Sequence, residues 1–459
     1  LKRNQFGATL GGPVWLGPFY NGKDKTFFFF SYQGTRDRRT PISANRIVPT
    51  EAQRRGDFSV LLPRQLRDPF RGGVYPNNQI PLSDFNPVAR FIVENYLPVP
   101  PGGGNSIAVA TLNNLNDDQT LVKGDHQLSR NNKLSGRFWV SHASQPAALD
   151  RKNYLSQTTG RTWPNTSVVF SDTHVFSPTL LNTALFSFNR TNGNNFQSLP
   201  EKSLSALGVK MYNDDKPQFH LTVAGYFQIN TGDTNTFLRD EYQVTDTVRW
   251  SRGRHQLTFG GEYGYGIGDI VNNFRANGQF NWNSAAPFTG DALADFFVGK
   301  FNGLGQGIGE YKKTRFTIVS LFAQDSIRLS RRVTLDLGLR LEPFFPFTDV
   351  DGKLSAWRPG QKSTRYSNAP MGVLYPGDPG LPDGGFETAW NNFGPRVGFA
   401  WDVFGNGKTS VRGGYGIFFD RSNTISTNSQ ANQGPFGTLV NTNGNVTNIL
   451  NVTDGGSTV

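Results

Sequence analysis

Apolar and polar residues alternate along much of the chain with a period of two. Segment 333–342 is the clearest case, with Val333, Leu335 and Leu337 on one side and Thr334 and Asp336 on the other. Segments 257–265, 393–403 and 411–419 repeat this pattern. In a β-strand successive side chains point to opposite faces, so alternation of this kind predicts strands that have one apolar face. The predicted strands are about 6–15, 26–37, 119–130, 133–141, 166–176, 179–190, 239–251, 254–266, 312–328, 332–345, 393–404 and 408–420.

Short and long connections alternate between these twelve strands. Tight turns such as Asn131-Asn132 and Gly405-Asn406-Gly407 join the strands in pairs, which is a hairpin signal. Long polar connections separate one hairpin from the next: 38–118, 142–165, 191–238, 267–311 and 346–392. Strands of soluble proteins average ~5–6 residues, whereas about 9–11 tilted residues cross a bilayer. Strand length and loop asymmetry therefore predict an all-β, antiparallel up-and-down transmembrane β-barrel with short periplasmic turns and long extracellular loops.

The two faces of these strands then receive different surroundings. The apolar residues are predicted to face lipid: Leu257, Phe259, Val333, Leu335, Leu337, Leu339, Leu341, Val397, Phe399 and Trp401. The charged residues at the alternate positions are predicted to face a polar lumen: Glu262, Asp336, Arg340, Glu342, Arg396, Asp402 and Arg412. A soluble sandwich would show the same alternation with its apolar face buried against protein.

Composition removes several other classes. The 459 residues include no Cys, which excludes a disulfide scaffold, a thiolate metal site and Cys nucleophilic catalysis. No apolar run approaches the ~18 residues of a transmembrane helix. The net charge is +11, but Lys and Arg are dispersed along the chain rather than clustered, so we predict no nucleic-acid partner.

Catalytic and metal-binding motifs are not found in the sequence. The five His have no metal-ligand spacing, and neither HExxH nor GxSxG occurs. Gly407-Lys408-Thr409 resembles the end of a phosphate-binding loop, but Asp402 stands where the motif requires Gly. We therefore predict no catalytic residue, no metal and no cofactor, while a carboxylate pair for glycoside hydrolysis stays open.

Several stretches resemble a known family. Residues 391–402 read NNFGPRVGFAWD, and residues 407–421 read GKTSVRGGYGIFFDR. Together with 3–13, 25–32, 252–262 and 290–299, they are similar in order and spacing to the barrel of TonB-dependent outer-membrane receptors, specifically the Oar-like branch. The likeness spans roughly residues 1–421.

This resemblance implies a 22-stranded barrel, an N-terminal plug and import of a bulky solute that is driven by the TonB complex. About twelve of those strands fall in this chain, so we assign 1–421 to a partial barrel domain and 422–459 to an extracellular loop that leaves the barrel incomplete. We expect the plug and the TonB box to lie in a missing N-terminal part. We also expect that this piece alone would not make a functional pore, because open sheet edges do not persist in lipid.

The expected partners are outer-membrane lipid, the TonB complex and a solute that is an oligosaccharide, a metal chelate or a peptide. Aromatic residues in the long connections are candidates for solute binding, because their flat faces stack on rings and their polar tips donate hydrogen bonds. They are Tyr154, Trp163, Trp357, Tyr366 and Trp390. The alternative function is a soluble or surface-attached β-rich carbohydrate-binding module or glycosidase.

Overall fold

The structure is a computed structural model that describes residues 2–198, 202–209, 218, 220–231, 233–273, 275–276, 278–421, 436 and 440–445. Twelve long antiparallel strands form one large sheet, in which each pairs with its neighbours in sequence, and the two-residue strand Thr348–Asp349 is a thirteenth member off this path. The strands are β1 (Lys2–Pro13), β2 (Thr26–Ile47), β3 (Ser106–Ser129), β4 (Asn132–Gln145), β5 (Gly160–Ser177), β6 (Leu180–Phe196), β7 (Asn235–Arg252), β8 (His255–Asn272), β9 (Glu310–Arg328), β10 (Val333–Leu341), β11 (Phe393–Asp402) and β12 (Ser410–Gly416). The sheet is not closed, since β1 and β12 are its two edges and do not pair with each other.

The pairing register gathers each predicted set of residues on one face. Leu337 of β10 lies opposite Val397 of β11. Arg340 lies opposite Gly394, which shares a face with Arg396 because the two are separated by two positions on the same strand. Because partners in direct register share a face, all ten predicted apolar residues lie on one side of the sheet, which we name the apolar face. The charged side chains predicted for the lumen lie on the opposite side, which we name the polar face.

Ion pairs occur on the apolar face where the long loops begin. Each pair lies nearer the long loops than an aromatic residue of the same face, which is Tyr32, Tyr242 or Tyr265. The pairs are Arg36–Asp118 at 2.8 Å, Arg190–Asp240 at 2.6 Å and Arg315–Asp269 at 2.6 Å. Aromatic residues and then charges are the order found at the interface of outer-membrane barrels.

Two strands extend well beyond their predicted ends. β2 and β3 contain 22 and 24 residues and stay paired from Thr26–His126 to Ile47–Ser106. The predicted strands 26–37 and 119–130 covered only the half of this two-stranded ribbon that is nearer the short turns. The extension begins with a run of charges at Arg36-Asp37-Arg38-Arg39, and polar residues on both faces leave no alternation to read.

The long connections fold instead of remaining open loops. They contain α1 (Glu51–Arg54), α2 (Pro87–Tyr96) and α3 (Ala292–Phe297), with 3₁₀ turns at Ser59–Leu61, Pro76–Asn78, Leu82–Asp84, Pro101–Gly103 and Ser205–Leu207. Their short strands are Ala148–Asp150, Asn153–Thr158, His220–Val223, Gln228–Asn230, Gln279–Trp282, Lys300–Gln306, Thr348–Asp349, Ala356–Trp357 and Val373–Leu374. Among the described residues, no helix has the length and apolar character needed to span a membrane.

Helix α2 shows why these segments fold. Asn86 caps its first turn, because its side chain accepts hydrogen bonds from the N–H groups of Val88 and Ala89. Val88, Ile92 and Tyr96 recur at helical spacing and are buried on one side. The helix therefore has one apolar stripe that packs against the other connections.

The hydrophobic core of the described residues lies mainly in the connections, and the large sheet contributes Ile107 and Val109 of β3 to it. Phe85 and Phe297 stack with ring centroids 4.5 Å apart, and Phe58 meets Phe297 edge to face at 6.0 Å. The largest fully buried side chains of the described residues all lie outside β1–β12. We name the described residues within the connections 48–105, 146–159, 197–234 and 273–309 the loop cap. Its buried core gives the cap a fixed shape at one end of the sheet.

Most of the predicted terminal segment 422–459 lies outside the described residues. Of this segment the structure describes Phe436 and the strand Val440–Asn445, which pairs with Lys300–Gln306. The assignment of 422–459 to an extracellular loop stays a prediction.

Candidate functional site

A hydrogen-bonded network crosses five neighbouring strands on the polar face. Ser187 Oγ donates to the side-chain oxygen Oε1 of Gln243 at 3.3 Å, and Gln243 Nε2 donates to Glu262 Oε1 at 2.7 Å. The Arg340 guanidinium donates to Glu262 Oε2 at 3.2 Å and to Ser320 Oγ at 2.7 Å. The register builds this network, because Ser187 lies opposite Gln243 and Glu262 lies opposite Ser320.

Arg340 is the centre of charge in the network. It lies between Glu262 and Glu342, and its second carboxylate contact, to Glu342 Oε1, is 2.8 Å long. The Arg340 and Glu262 side chains are only 22% and 18% exposed, so each charge depends on its partner for stabilisation. The polar face therefore has a charged, hydrogen-bonded centre.

The remaining charged residues that the sequence predicts for the polar face lie outside this network. Arg396 and Arg412 are exposed, and the Arg396 guanidinium stands 4.6 Å from the centre of the Phe418 ring. Asp336 lies opposite Gly398, which leaves space beside its carboxylate. Asp402 accepts hydrogen bonds from the N–H groups of Gly405 and Gly407, both at 2.9 Å, and so holds the turn between β11 and β12.

A pocket of about 280 Å³ opens on the polar face beyond the network. Asn189, Thr191, Arg239 and Glu241 contribute polar groups to its wall, and Phe316 contributes an apolar ring. A Cβ at Gly266 would lie 1.9 Å from the Phe316 ring, so only Gly lets that ring lie flat on β8. Among the described residues, neither Arg239 nor Glu241 forms a salt bridge, while the Arg239 guanidinium stands 5.9 Å from the centre of the Phe237 ring and Glu241 interacts electrostatically with Arg421. Sequence reasoning missed this pocket, because alternation gives the face of a residue and not its neighbours.

Three of the five candidate aromatic residues lie in the connection between β10 and β11. Trp357 and Trp390 are 64% and 65% exposed. Trp390 packs edge to face on Phe345 at 5.3 Å, and Phe345 lines a second pocket of about 490 Å³ with Arg315 and Glu387. Tyr366 is partly exposed and meets Tyr375 edge to face at 4.7 Å. These rings present open faces at the loop end of the sheet.

The other two candidates are placed differently from the sequence expectation. Tyr154 is 1% exposed and stacks on Tyr96 with ring centroids 3.9 Å apart, so its ring is part of the loop-cap core. Trp163 lies in β5 and not in a connection. Its register partner is Ala143, on the polar face, and it lies beside Gly193. Trp163 therefore belongs to the rim of the polar face.

Asp378 fixes the conformation of the connection that carries the exposed aromatics. Its carboxylate accepts hydrogen bonds from the backbone N–H groups of Thr364, Arg365 and Tyr375 at 2.8–2.9 Å. Burial alone would raise the pKa of Asp378, but these backbone donors outweigh it and hold the pKa well below its usual range. The sequence signal was the turn sequence Gly377-Asp378-Pro379-Gly380, which does not show what the carboxylate binds.

No cluster of three His, Asp or Glu side chains that could hold a metal ion occurs among the residues that the structure describes.

A family model described as an outer membrane beta barrel domain matches residues 1–458. The chain belongs to this family, which confirms the predicted fold class and the predicted location in the bacterial outer membrane. No curated protein matches the chain.

Several solved structures are similar in shape. The outer membrane transporter YddB from Escherichia coli has a TM-score of 0.48 at 12% identity, with 95% of this chain and 41% of that chain covered. A mutant of the ferric enterobactin receptor PfeA from Pseudomonas aeruginosa has a TM-score of 0.39 at 12% identity, covering 90% and 41%. The ferric-catecholate import receptor Fiu from E. coli K12 has a TM-score of 0.39 at 10% identity, covering 90% and 51%. The chain thus spans about two fifths to one half of the length of these proteins.

Proposed function

We propose that this chain forms part of the wall of a TonB-dependent transporter that imports a bulky solute across the outer membrane. The network from Ser187 to Arg340 is the observation that carries the proposal. Charged groups are costly in the hydrocarbon region, so a face with a charged centre fits a water-filled or protein-filled interior. The opposite face of the same strands bears Leu337 and Phe399, which suit lipid.

In this proposal the loops and the wall have separate tasks. The exposed rings of Trp357, Tyr366 and Trp390 capture the solute at the cell surface. The pocket with Arg239 and Glu241 receives it on the wall. The role is transport and not catalysis, and contact with TonB is made through a part of the protein N-terminal to this chain.

The charges of the pocket favour one class of solute. Arg239 recognises a carboxylate and Glu241 an ammonium group, while Asn189 and Thr191 supply neutral hydrogen bonds. A peptide presents all of these groups together. Among an oligosaccharide, a metal chelate and a peptide, the pocket therefore fits a peptide best.

Uptake by whole cells tests this function. The full-length protein would be expressed in a bacterium with an intact TonB complex. Accumulation of three fluorescent probes would be measured: a heptapeptide, a maltoheptaose and a ferric catecholate. We expect the peptide to accumulate, and a protonophore or deletion of TonB to stop the accumulation.

A matched pair of variants tests the pocket. Arg239→Gln should lower peptide accumulation several-fold, whereas Arg249→Gln, on the same strand and the same face but outside the pocket, should leave it unchanged. Transport is refuted if none of the three probes accumulates in an energy-dependent manner. Accumulation of only the maltoheptaose or the catecholate would refute the peptide assignment and retain transport.

A further inference from the structure

The apolar face carries a groove at a position where two neighbouring strands each have a glycine. In direct register across four strands lie Phe28, Gly124, Gly136 and Phe170. Gly124 leaves an open position in this row, the Phe170 ring lies over Gly136, and the gap beside Gly124 continues along Ala184 to Phe186. The groove has a volume of about 470 Å³ and an almost wholly apolar lining.

The glycine at position 124 is not explained by backbone conformation or by packing within the protein. A Cβ there would meet nothing within 4 Å, and Gly124 is not among the residues with positive φ. Neighbouring Gly136 differs, since a Cβ would lie 3.1 Å from the Phe170 ring. The missing side chain at 124 therefore serves to keep the groove open.

Polar side chains close the end of the groove that is nearer the short turns. His126 shares a hydrogen bond with Thr26 at 2.7 Å. Asn132 donates to Asp172 Oδ1 at 2.7 Å and lies 3.1 Å from His174 Nδ1. These residues lie on the apolar face within a few residues of the turns at 130–131 and 178–179. The groove thus runs from a polar rim into an apolar trough.

We propose that this groove binds one acyl chain of a phospholipid of the periplasmic leaflet, with an ammonium headgroup beside Asp172. The residues that line the groove include Asp172 but neither lysine nor arginine, so the rim suits a zwitterionic ethanolamine headgroup better than an anionic one. The outer-membrane location brings lipid to this face, and the polar rim places the headgroup on the side of the short periplasmic turns. This inference does not depend on the transport proposal.

Native mass spectrometry of the purified full-length protein, delipidated in detergent, tests the proposal. Phosphatidylethanolamine and phosphatidylglycerol would be titrated separately, and bound lipid copies counted. We expect one phosphatidylethanolamine to bind in preference to phosphatidylglycerol. Gly124→Leu, which fills the groove, should weaken that binding by about tenfold. Asp172→Asn should reduce the preference for ethanolamine over glycerol.

Gly12→Leu is the matched control. Gly12 lies opposite Phe28 in the same register row and on the same face, a Cβ there also meets nothing within 4 Å, and the residue is outside the groove. Its lipid binding should equal that of the parent chain. The proposal is overturned if Gly124→Leu and Gly12→Leu bind equally, or if the two lipids bind alike. It is also overturned if Gly124→Leu releases a co-purified protein and leaves bound lipid unchanged.

Discussion

Substitution of Leu337 by arginine tests the assignment of the two faces. Leu337 is the middle residue of the nine in β10, lies on the apolar face and is 42% exposed. Its neighbour Asp336 lies on the polar face of the same strand. If the apolar face meets lipid, arginine at 337 would stand in hydrocarbon, whereas arginine at 336 would stand among polar groups.

The strand geometry gives the size of the effect. Nine residues rise about 30 Å along a strand, and a tilt of about 40° reduces this to about 23 Å, close to the ~25 Å apolar band of outer-membrane barrels. Leu337 therefore lies near the middle of the band, where arginine costs ~2–4 kcal/mol. This free energy lowers the folding equilibrium constant by about 30- to 900-fold. Asp336→Arg should cost much less.

The free energy of unfolding would be measured by urea titration of the full-length protein in phospholipid vesicles, with heat-modifiable gel migration as a second measure of folding. A large loss for Leu337→Arg and a small one for Asp336→Arg is the expected result. If both variants lose the same stability, or if Asp336→Arg loses more, the inside and outside assignment is refuted.

Three further predictions concern the polar face and the loops. Trp390→Ala should lower solute accumulation several-fold in the cell-uptake assay and leave folding unchanged. Tyr154→Ala should destabilise the loop cap by about 3 kcal/mol in thermal unfolding, because its ring is buried. Equal losses of folding stability in Trp390→Ala and Tyr154→Ala would contradict the assignment of Trp390 to solute binding and of Tyr154 to the core. The variants Arg340→Met and Glu262→Gln should show a coupling of about 1 kcal/mol in a double-mutant cycle, since Arg340→Met leaves Glu262 without its ion-pair partner and Glu262→Gln removes one of the two carboxylates that Arg340 contacts. Additive losses would contradict the network. The folded-state pKa of Asp378 is depressed, so its contribution to stability is complete above the ordinary carboxyl pKa of 3.8 and is lost as pH falls below it. Hydrogen exchange at Thr364, Arg365 and Tyr375, corrected for its intrinsic pH dependence, should increase in that range, and Asp378→Asn should show the increase already at neutral pH.

The strands could be predicted because the two faces of a membrane-spanning sheet differ at every position. In β10 this alternation is complete from Val333 to Leu341, and the same reasoning placed Arg340 and Leu337 on opposite faces. The upper halves of β2 and β3 were missed, since charges such as Arg38 and Arg39 remove the contrast between the faces.

The loop cap could not be predicted in the same way. Its core joins Phe58 and Phe85 of the connection 48–105 to Phe297 of the connection 273–309, more than 200 residues further along the chain. Outside α2, single apolar residues among many Gly, Pro and Asn give no period, and their packing is decided by contacts between distant segments. For the same reason, sequence could not distinguish the buried ring of Tyr154 from the exposed ring of Trp390.

The buried core of the loop cap also affects what the cell presents to its surroundings. Loops of this length are usually thought of as loose and easily cut. Here Phe296, Phe297 and Leu293 are at most 1% exposed within a packed interior. An antibody, a phage tail fibre or a protease that approaches from outside would therefore contact a rigid surface of fixed shape. Substitutions at that surface would alter what can bind to it, while the buried core remains the same.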